Sequence, residues 1–338
     1  MEQNNAVVDY TAEESVAIND RIDAHYKKLI AEGKYKDLLL RCGENGKYSV
    51  NNIILMLEQN PEMTVAKGMN EWAKEGRHIK EGAQSMEIVA PTKERYEVEV
   101  KDGEGKPVLG EDGNPQMRQR EKTAGFHAMY VFDITATEGD PYKPYKIKGK
   151  MSDAEKKNIL DGVFNALSAK HYKYKFTDGA EFGENEDYKI DKSSKTVKLR
   201  KGMDNSTTAL TAIEAASKAI CDNYKGRAFE GMTGANAEKI EADSRGCILA
   251  AHFGLDTSGY NFDYMQSMSE EQADMFKNNL GLISASTKLV MDKISRAFYK
   301  DQQARAEAAP EVQGAGVPEV EFDPFCPDGA GHSDMEAA

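Results

Sequence analysis

The sequence predicts an α+β chain: amino-terminal helices with a small antiparallel sheet, then a second, mainly helical domain, and last a disordered acidic tail. Three observations carry this. Apolar residues recur every three or four positions through the first sixty residues, alternate between residues 86 and 135, and return to helical spacing after residue 152. Gly, Asp, Asn and Pro crowd the segments in between. Beyond Arg305 no period survives.

Thr11 and Glu14 have the spacing of a capping box, in which each side chain satisfies the other's backbone N–H, ahead of a helix carrying Val16, Ile18, Ile22, Tyr26, Leu29 and Ile30. A second helix fits residues 49–60 and must end before Pro61, because a proline excludes its predecessor from the helical region. A third runs from Val65 to Lys74, stopped by Gly76. Strands follow over Met86–Pro91, over the alternating Arg95–Val100, and from Met117 through Thr135. The glycine- and aspartate-rich stretch 102–114 is their connecting loop.

Two prolines and four lysines in residues 139–150 read as a linker, so the expected domains are 1–145 and 151–303, with a tail at 304–338. Ser152 and Glu155 form another capping box, before Ile159, Leu160, Val163, Phe164 and Leu167. Short strands fit residues 172–176 and 195–200. The helix after Asn205 places Leu210, Ile213, Ser217 and Ile220 on one face. Another runs from Ala237 to Phe253 and stops at Gly254. Ser269 caps the last, which bears Phe276, Leu280, Ile283, Val290, Ile294 and Phe298.

Composition excludes several classes. No run of about eighteen apolar residues occurs, and the first residues lack the basic and apolar segments of a secretory signal, so no membrane partner and a cytoplasmic location in a bacterial host cell are expected. Cys42, Cys221, Cys247 and Cys326 are scattered, which suits reduced structural thiols rather than a disulfide framework or cysteine zinc cluster. The net charge is −13, but residues 301–338 supply −8 of it. Any contact with nucleic acid must therefore use a local basic patch.

Such a patch exists. Lys67, Lys74, Arg77 and Lys80 surround Trp72, the one tryptophan, and Arg118, Arg120 and Lys122 lead toward Phe126 and Tyr130. Single strands are held by positive grooves and by aromatic faces on which bases stack. The residues alone suit equally a core Trp72 and Tyr130 beneath a solvated basic surface.

The order Tyr48-Ser49, Asn52, Gln59, Pro61, Trp72, Gly76-Arg77, Lys80, Gly82, Ile88, Pro91 and Val131-Phe132-Asp133 resembles the amino-terminal domain of ArdC-type antirestriction proteins. Where that family continues Ser-Gln-Thr, this chain has Thr135-Ala136-Thr137. The resemblance implies sequence-independent binding of single-stranded DNA, with Tyr48, Asn52, Lys67, Trp72, Lys74, Arg77, Lys80, Arg118, Arg120, Lys122, Phe126 and Tyr130 as candidate contacts. Residues 187–221 and 239–268 resemble the family's zincin-like metallopeptidase half. There a helix bearing HExxH holds zinc through two histidines one turn apart, and its glutamate activates the bound water.

The matching segment here is Ile213-Glu214-Ala215-Ala216-Ser217, with Glu241, or Asp243, at the position of the third ligand. Both histidines are gone, and His25, His78, His127, His171, His252 and His332 contain no H-x-x-x-H pair. Glu214 and Glu241 are thus relic candidates, Glu214 spaced to pair with Lys218, and neither a metal nor a cofactor is expected. Cys221 lacks a histidine to activate it, and nearby carboxylates would raise its pKa. The expected function is a non-catalytic single-strand-binding antirestriction accessory of a mobile element or phage. Two alternatives stand beside it: an inhibitor that docks on a host defence protein, such as a restriction or CRISPR nuclease, through acidic DNA mimicry, and a metallopeptidase with atypical ligands.

Overall fold

The computed structural model describes residues 9–110, 112–142, 146–147, 149–184, 186–221 and 235–308. One compact unit extends to Tyr299, and a second begins at Lys300, described as far as the end of the last helix.

Helix α1 (Ala12–Ala31) begins at the expected capping box. Thr11 Oγ1 accepts from the Glu14 amide at 3.2 Å, and a Glu14 carboxylate oxygen accepts from the Thr11 amide at 2.8 Å. Two such bonds satisfy donors that a helix start leaves free. Helix α2 (Tyr35–Glu44), which the apolar spacing did not disclose, follows, then α3 (Val50–Gln59), capped by Ser49 and ended by the Asn60-Pro61 step. The expected helix from Val65 is shorter than predicted. Ala66–Lys67 form a short strand, β1, because the Ala66 amide donates to Asn45 Oδ1 at 2.8 Å and Ala66 pairs with Asp133. Helix α4 occupies only Met69–Lys74.

Strand β2 (Arg77–Ile79) pairs with β5 (Thr137–Gly139), and the long strands β3 (Met86–Glu99) and β4 (Met117–Asp133) form an antiparallel hairpin in a sheet of order β1-β4-β3. The two strands expected before the loop are one continuous strand, β3. Proline is tolerated at position 91 because β3 is a sheet edge, where a missing N–H costs no ladder bond. Register shifts between Thr92 and Lys93, and beyond that irregularity the hairpin continues as an exposed two-stranded ribbon.

The carboxyl-terminal half opens with α5 (Asp153–Ser168) on the Ser152/Glu155 capping box. A sheet of order β6-β8-β7 follows, from β6 (Lys173–Thr177), β7 (Tyr188–Asp191) and β8 (Thr196–Arg200), with β6 and β8 parallel. Helices α6 (Asn205–Cys221), α7 (Ala235–Phe253) and α8 (Glu270–Ala308) complete it. Helix α8 runs past residue 304, where the tail was expected to begin. Residues 309–338, the rest of that tail, lie outside the described residues.

The linker at 139–150 does not divide the first unit into two cores. One apolar cluster runs from Ile18 through Leu38, Leu39 and Ile53 to Ile213, Leu249, Phe276 and Ile294. Helix α2 lies against α7 so closely that a Cβ on Gly43 would stand 2.4 Å from the Ile248 carbonyl oxygen. Tyr35 seals the same contact: its hydroxyl bonds Ser244 Oγ at 2.8 Å, and its ring meets Phe262 and Phe276 edge-on at 5.1 and 5.5 Å. Leu38 and Leu39 of the same helix are fully buried, each contributing roughly 1.5–3 kcal/mol.

Candidate nucleic-acid interface

Helix α1, the start of α3 and the β3-β4 hairpin enclose a groove of about 890 Å³, lined mainly by apolar groups. Ile18 and Ile22 of α1 and Ile88 and Val131 of the hairpin line it, with Tyr48 and Phe126. Lys47 stands at the groove with its ammonium paired to Glu71 and 4.6 Å from the centre of the Tyr48 ring. Burial lowers the Lys47 pKa against the opposing pull of Glu71, and burial raises that of the Tyr48 hydroxyl. Beside the groove, β4 holds Phe126 and Tyr130 at positions i and i+4, hence on one face, 49% and 56% exposed. Of the predicted contacts, Tyr48, Asn52 and Phe126 line this cavity and Tyr130 lies next to it.

Other predicted contacts are occupied within the fold. Trp72 is fully buried, and its indole N–H donates to the Phe132 carbonyl at 2.8 Å, which corrects its reading as a stacking platform. An indole enclosed in this way has no face to offer a base. Asn52 is likewise corrected: its Nδ2 donates to the Val89 carbonyl and its Oδ1 accepts from the Val89 amide, both at 2.9 Å. Two turns along the same helix face, Gln59 makes the same pair of bonds to Glu87, at 2.9 and 2.8 Å. The two carboxamides replace a neighbouring strand along the β3 edge and satisfy backbone groups that would otherwise stay open.

The basic residues near Trp72 are also engaged. Arg77 donates from Nε to Thr137 Oγ1 at 2.8 Å and from its terminal nitrogens to the Thr137 and Asp140 carbonyls, holding β2 to β5. Lys80 Nζ donates to the Thr135 carbonyl at 2.9 Å. Lys67 pairs with Glu75 and sits 4.8 Å from the centre of the Tyr142 ring. Only Lys74 and Lys80 of this cluster are classed as exposed, so the patch around Trp72 is chiefly internal bracing. Arg118, Arg120 and Lys122, in contrast, are exposed on the ribbon, away from that cluster.

Sequence reading missed Ile18, Ile22, Lys47 and Met129 as groove residues. Helical spacing marked Ile18 and Ile22 only as core positions, and nothing local showed that α1, the start of α3 and the β3-β4 hairpin share a cavity.

In the carboxyl-terminal half, Ile213 and Ser217 are buried within α6. The Glu214 carboxylate accepts a hydrogen bond from the Tyr260 hydroxyl, over Gly246 of α7. Glu241 pairs with the buried guanidinium of Arg245, one turn along α7. This donor set does not fit a zinc ion: the two positions one turn apart offer an alkyl group and a hydroxyl in place of imidazoles, and the Glu241 carboxylate is held by an arginine. Among the described residues no three His, Cys, Asp or Glu side chains gather as a metal site. Cys42 and Cys247 are buried, and burial pushes both thiols up to about 12, far from a nucleophile's range. The Cys221 side chain and Cys326 lie outside the described residues. No helix among the described residues is long and apolar enough to cross a membrane.

Residues 17–132 match the family model for the N-terminal domain of anti-restriction factor ArdC. No curated protein matches the chain significantly. Among solved structures, the metal-free crystal structure of the antirestriction ArdC protein from plasmid R388 is similar at 14% identity, with a TM-score of 0.43 over 87% of this chain and 98% of that one. Its Mn(II)-bound structure gives 14% identity and a TM-score of 0.44, over 83% and 97%.

Proposed function

We propose that the chain, whose residues 17–132 match the model for the N-terminal domain of anti-restriction factor ArdC, is an antirestriction accessory protein that binds single-stranded DNA and works stoichiometrically, without catalysis. The observation that carries the reading is the placement of Phe126 and Tyr130 on the outer face of β4, about half exposed, next to an apolar groove that Tyr48 also lines. Exposed rings four positions apart on one strand face suit bases that have left a duplex, since each stack contributes roughly 1–3 kcal/mol whatever the base. A protein that shields incoming DNA needs this tolerance of sequence.

The carboxyl-terminal half serves in this reading as scaffold. Ile213 and Ser217 belong to its core, and Glu214 is tied to Tyr260 instead of facing a metal-bound water. The host defence system enters as the process that the bound DNA escapes.

Fluorescence anisotropy with a labelled single strand tests the proposal. Phe126→Ala and Tyr130→Ala should each weaken binding by about tenfold, with thermal stability unchanged because both rings are half exposed. Unaltered affinity in the double variant would remove the groove from the function. Stoichiometric zinc in the purified protein, together with peptide cleavage, would remove the non-catalytic half of the reading.

A further inference from the structure

The ribbon beyond the Thr92/Lys93 register shift has two unlike faces. Cross-strand partners are Glu94 with Lys122, Tyr96 with Arg120 and Val98 with Arg118, and side chains of such pairs share a face. One face therefore carries Arg118, Arg120 and Lys122 in line, with Glu94 as its one acid. The other carries Lys93 and Arg95 against Glu97, Glu99 and Glu121. Among the described residues Arg118 and Arg120 form no ion pair, whereas Arg95 is bound to Glu121 at 2.9 Å and Lys122 to Glu94 at 3.1 Å. An uncompensated guanidinium pair on an exposed strand is an unusual expense in a chain of net charge −13, and it attracts a polyanion.

The chemistry of this face differs from that of the groove. Its one aromatic ring, Tyr96, has the Lys122 ammonium 5.7 Å from its centre, so cations dominate the face. Phosphates are what it can hold. Alternate strand residues are about 6.6 Å apart, and the three cations span about 13 Å, a length over which one strand of B-form DNA places about four phosphates. A two-stranded ribbon is also of a width that the B-form major groove admits. Duplex DNA keeps its bases stacked inward and presents this backbone.

We infer that the Arg118-Arg120-Lys122 face of the ribbon is a contact for the backbone of duplex DNA, separate from the aromatic groove, so that the chain engages a double-stranded segment as well as a single strand. This rests on the proposed reading of DNA as the ligand, while the ribbon's part and the groove's part fail independently.

The test uses the full chain, a labelled blunt duplex of arbitrary sequence and a labelled single strand of equal length, each titrated over a range of salt. The Arg118→Ala/Arg120→Ala double variant should lose about tenfold in duplex affinity at low salt, and its plot of log affinity against log salt should be shallower by about two. Single-strand affinity should hold within about twofold. Lys93→Ala/Arg95→Ala removes the same charge from the opposite face and should leave duplex binding unchanged. A wild-type chain that ignores the duplex, equal losses in the two double variants, or an equal loss on the single strand would each overturn the assignment. Loss of single-strand binding in Phe126→Ala/Tyr130→Ala with duplex binding intact supports it.

Discussion

The carboxamide of Asn52 bonds both backbone groups of Val89, donating to its carbonyl and accepting from its amide at 2.9 Å each. A side chain on α3 thus acts as a substitute strand for the edge of β3. Asn52→Leu should destabilise the chain by about 1–3 kcal/mol, the cost of leaving partly buried backbone groups unpaired. Asn52→Asp keeps the acceptor but sets a carboxylate oxygen against the Val89 carbonyl oxygen, and should cost at least as much. Urea unfolding measures both, and DNA affinity per folded molecule should not change.

Gly246 is held to a hydrogen side chain by the pair it lies beneath. A Cβ there would stand 2.4 Å from the Tyr260 hydroxyl oxygen and 2.9 Å from a Glu214 carboxylate oxygen. Gly246→Ala should cost about 1–3 kcal/mol through overpacking. In a Tyr260→Phe background, which removes the nearer oxygen, the same change should cost less. A thermal double-mutant cycle that came out additive would contradict the contact.

His252 links the two halves in its neutral form. Its Nδ1–H donates to the Gly43 carbonyl at 3.0 Å, and its Nε2 accepts from Ser295 Oγ at 3.2 Å. Burial holds its pKa below the ordinary value; the Gly43 carbonyl and Asp292 oppose this, and Lys146 and Lys288 add to it. The unfolded chain then takes up the proton first, so this contribution is fully present above about pH 6.5 and is lost as pH falls below it toward the folded-state pKa. Wild-type Tm should drop as pH falls below about 6.5. His252→Asn should start less stable and show a shallower drop.

The tail beyond residue 308 offers a test of the acidic-mimic alternative. Residues 309–338 supply −7 of the net charge. Deleting residues 309–338 should leave antirestriction activity in place and raise DNA affinity modestly at low salt by removing repulsion. Loss of protection with DNA binding intact would favour docking on a defence protein.

Local chemistry made much of the fold legible. The Thr11/Glu14 and Ser152/Glu155 capping boxes fixed two helix starts, and alternation located β3 and β4. Helix α2 escaped notice because it lacks a capping side chain and carries Gly43 in its last turn, a residue that suits the approach of α7 and not helix formation. Strand β1 replaced the start of a predicted helix because Asn45 and Asp133, both distant in sequence, hold its backbone. The site was less legible for the same reason. Tyr130 and Trp72 are both aromatic residues in a basic neighbourhood, and only long-range packing turns one outward and encloses the other.

The closeness of Gly43 to Ile248 bears on how the molecule can be handled. A fragment cut near residue 145 would strip Tyr35, Cys42 and Gly43 of the helix that covers them and turn a core seam into a sticky exterior. Aggregation of such a piece would say nothing about whether DNA is its ligand, so recombinant work on the amino-terminal half is best done with point variants of the intact polypeptide.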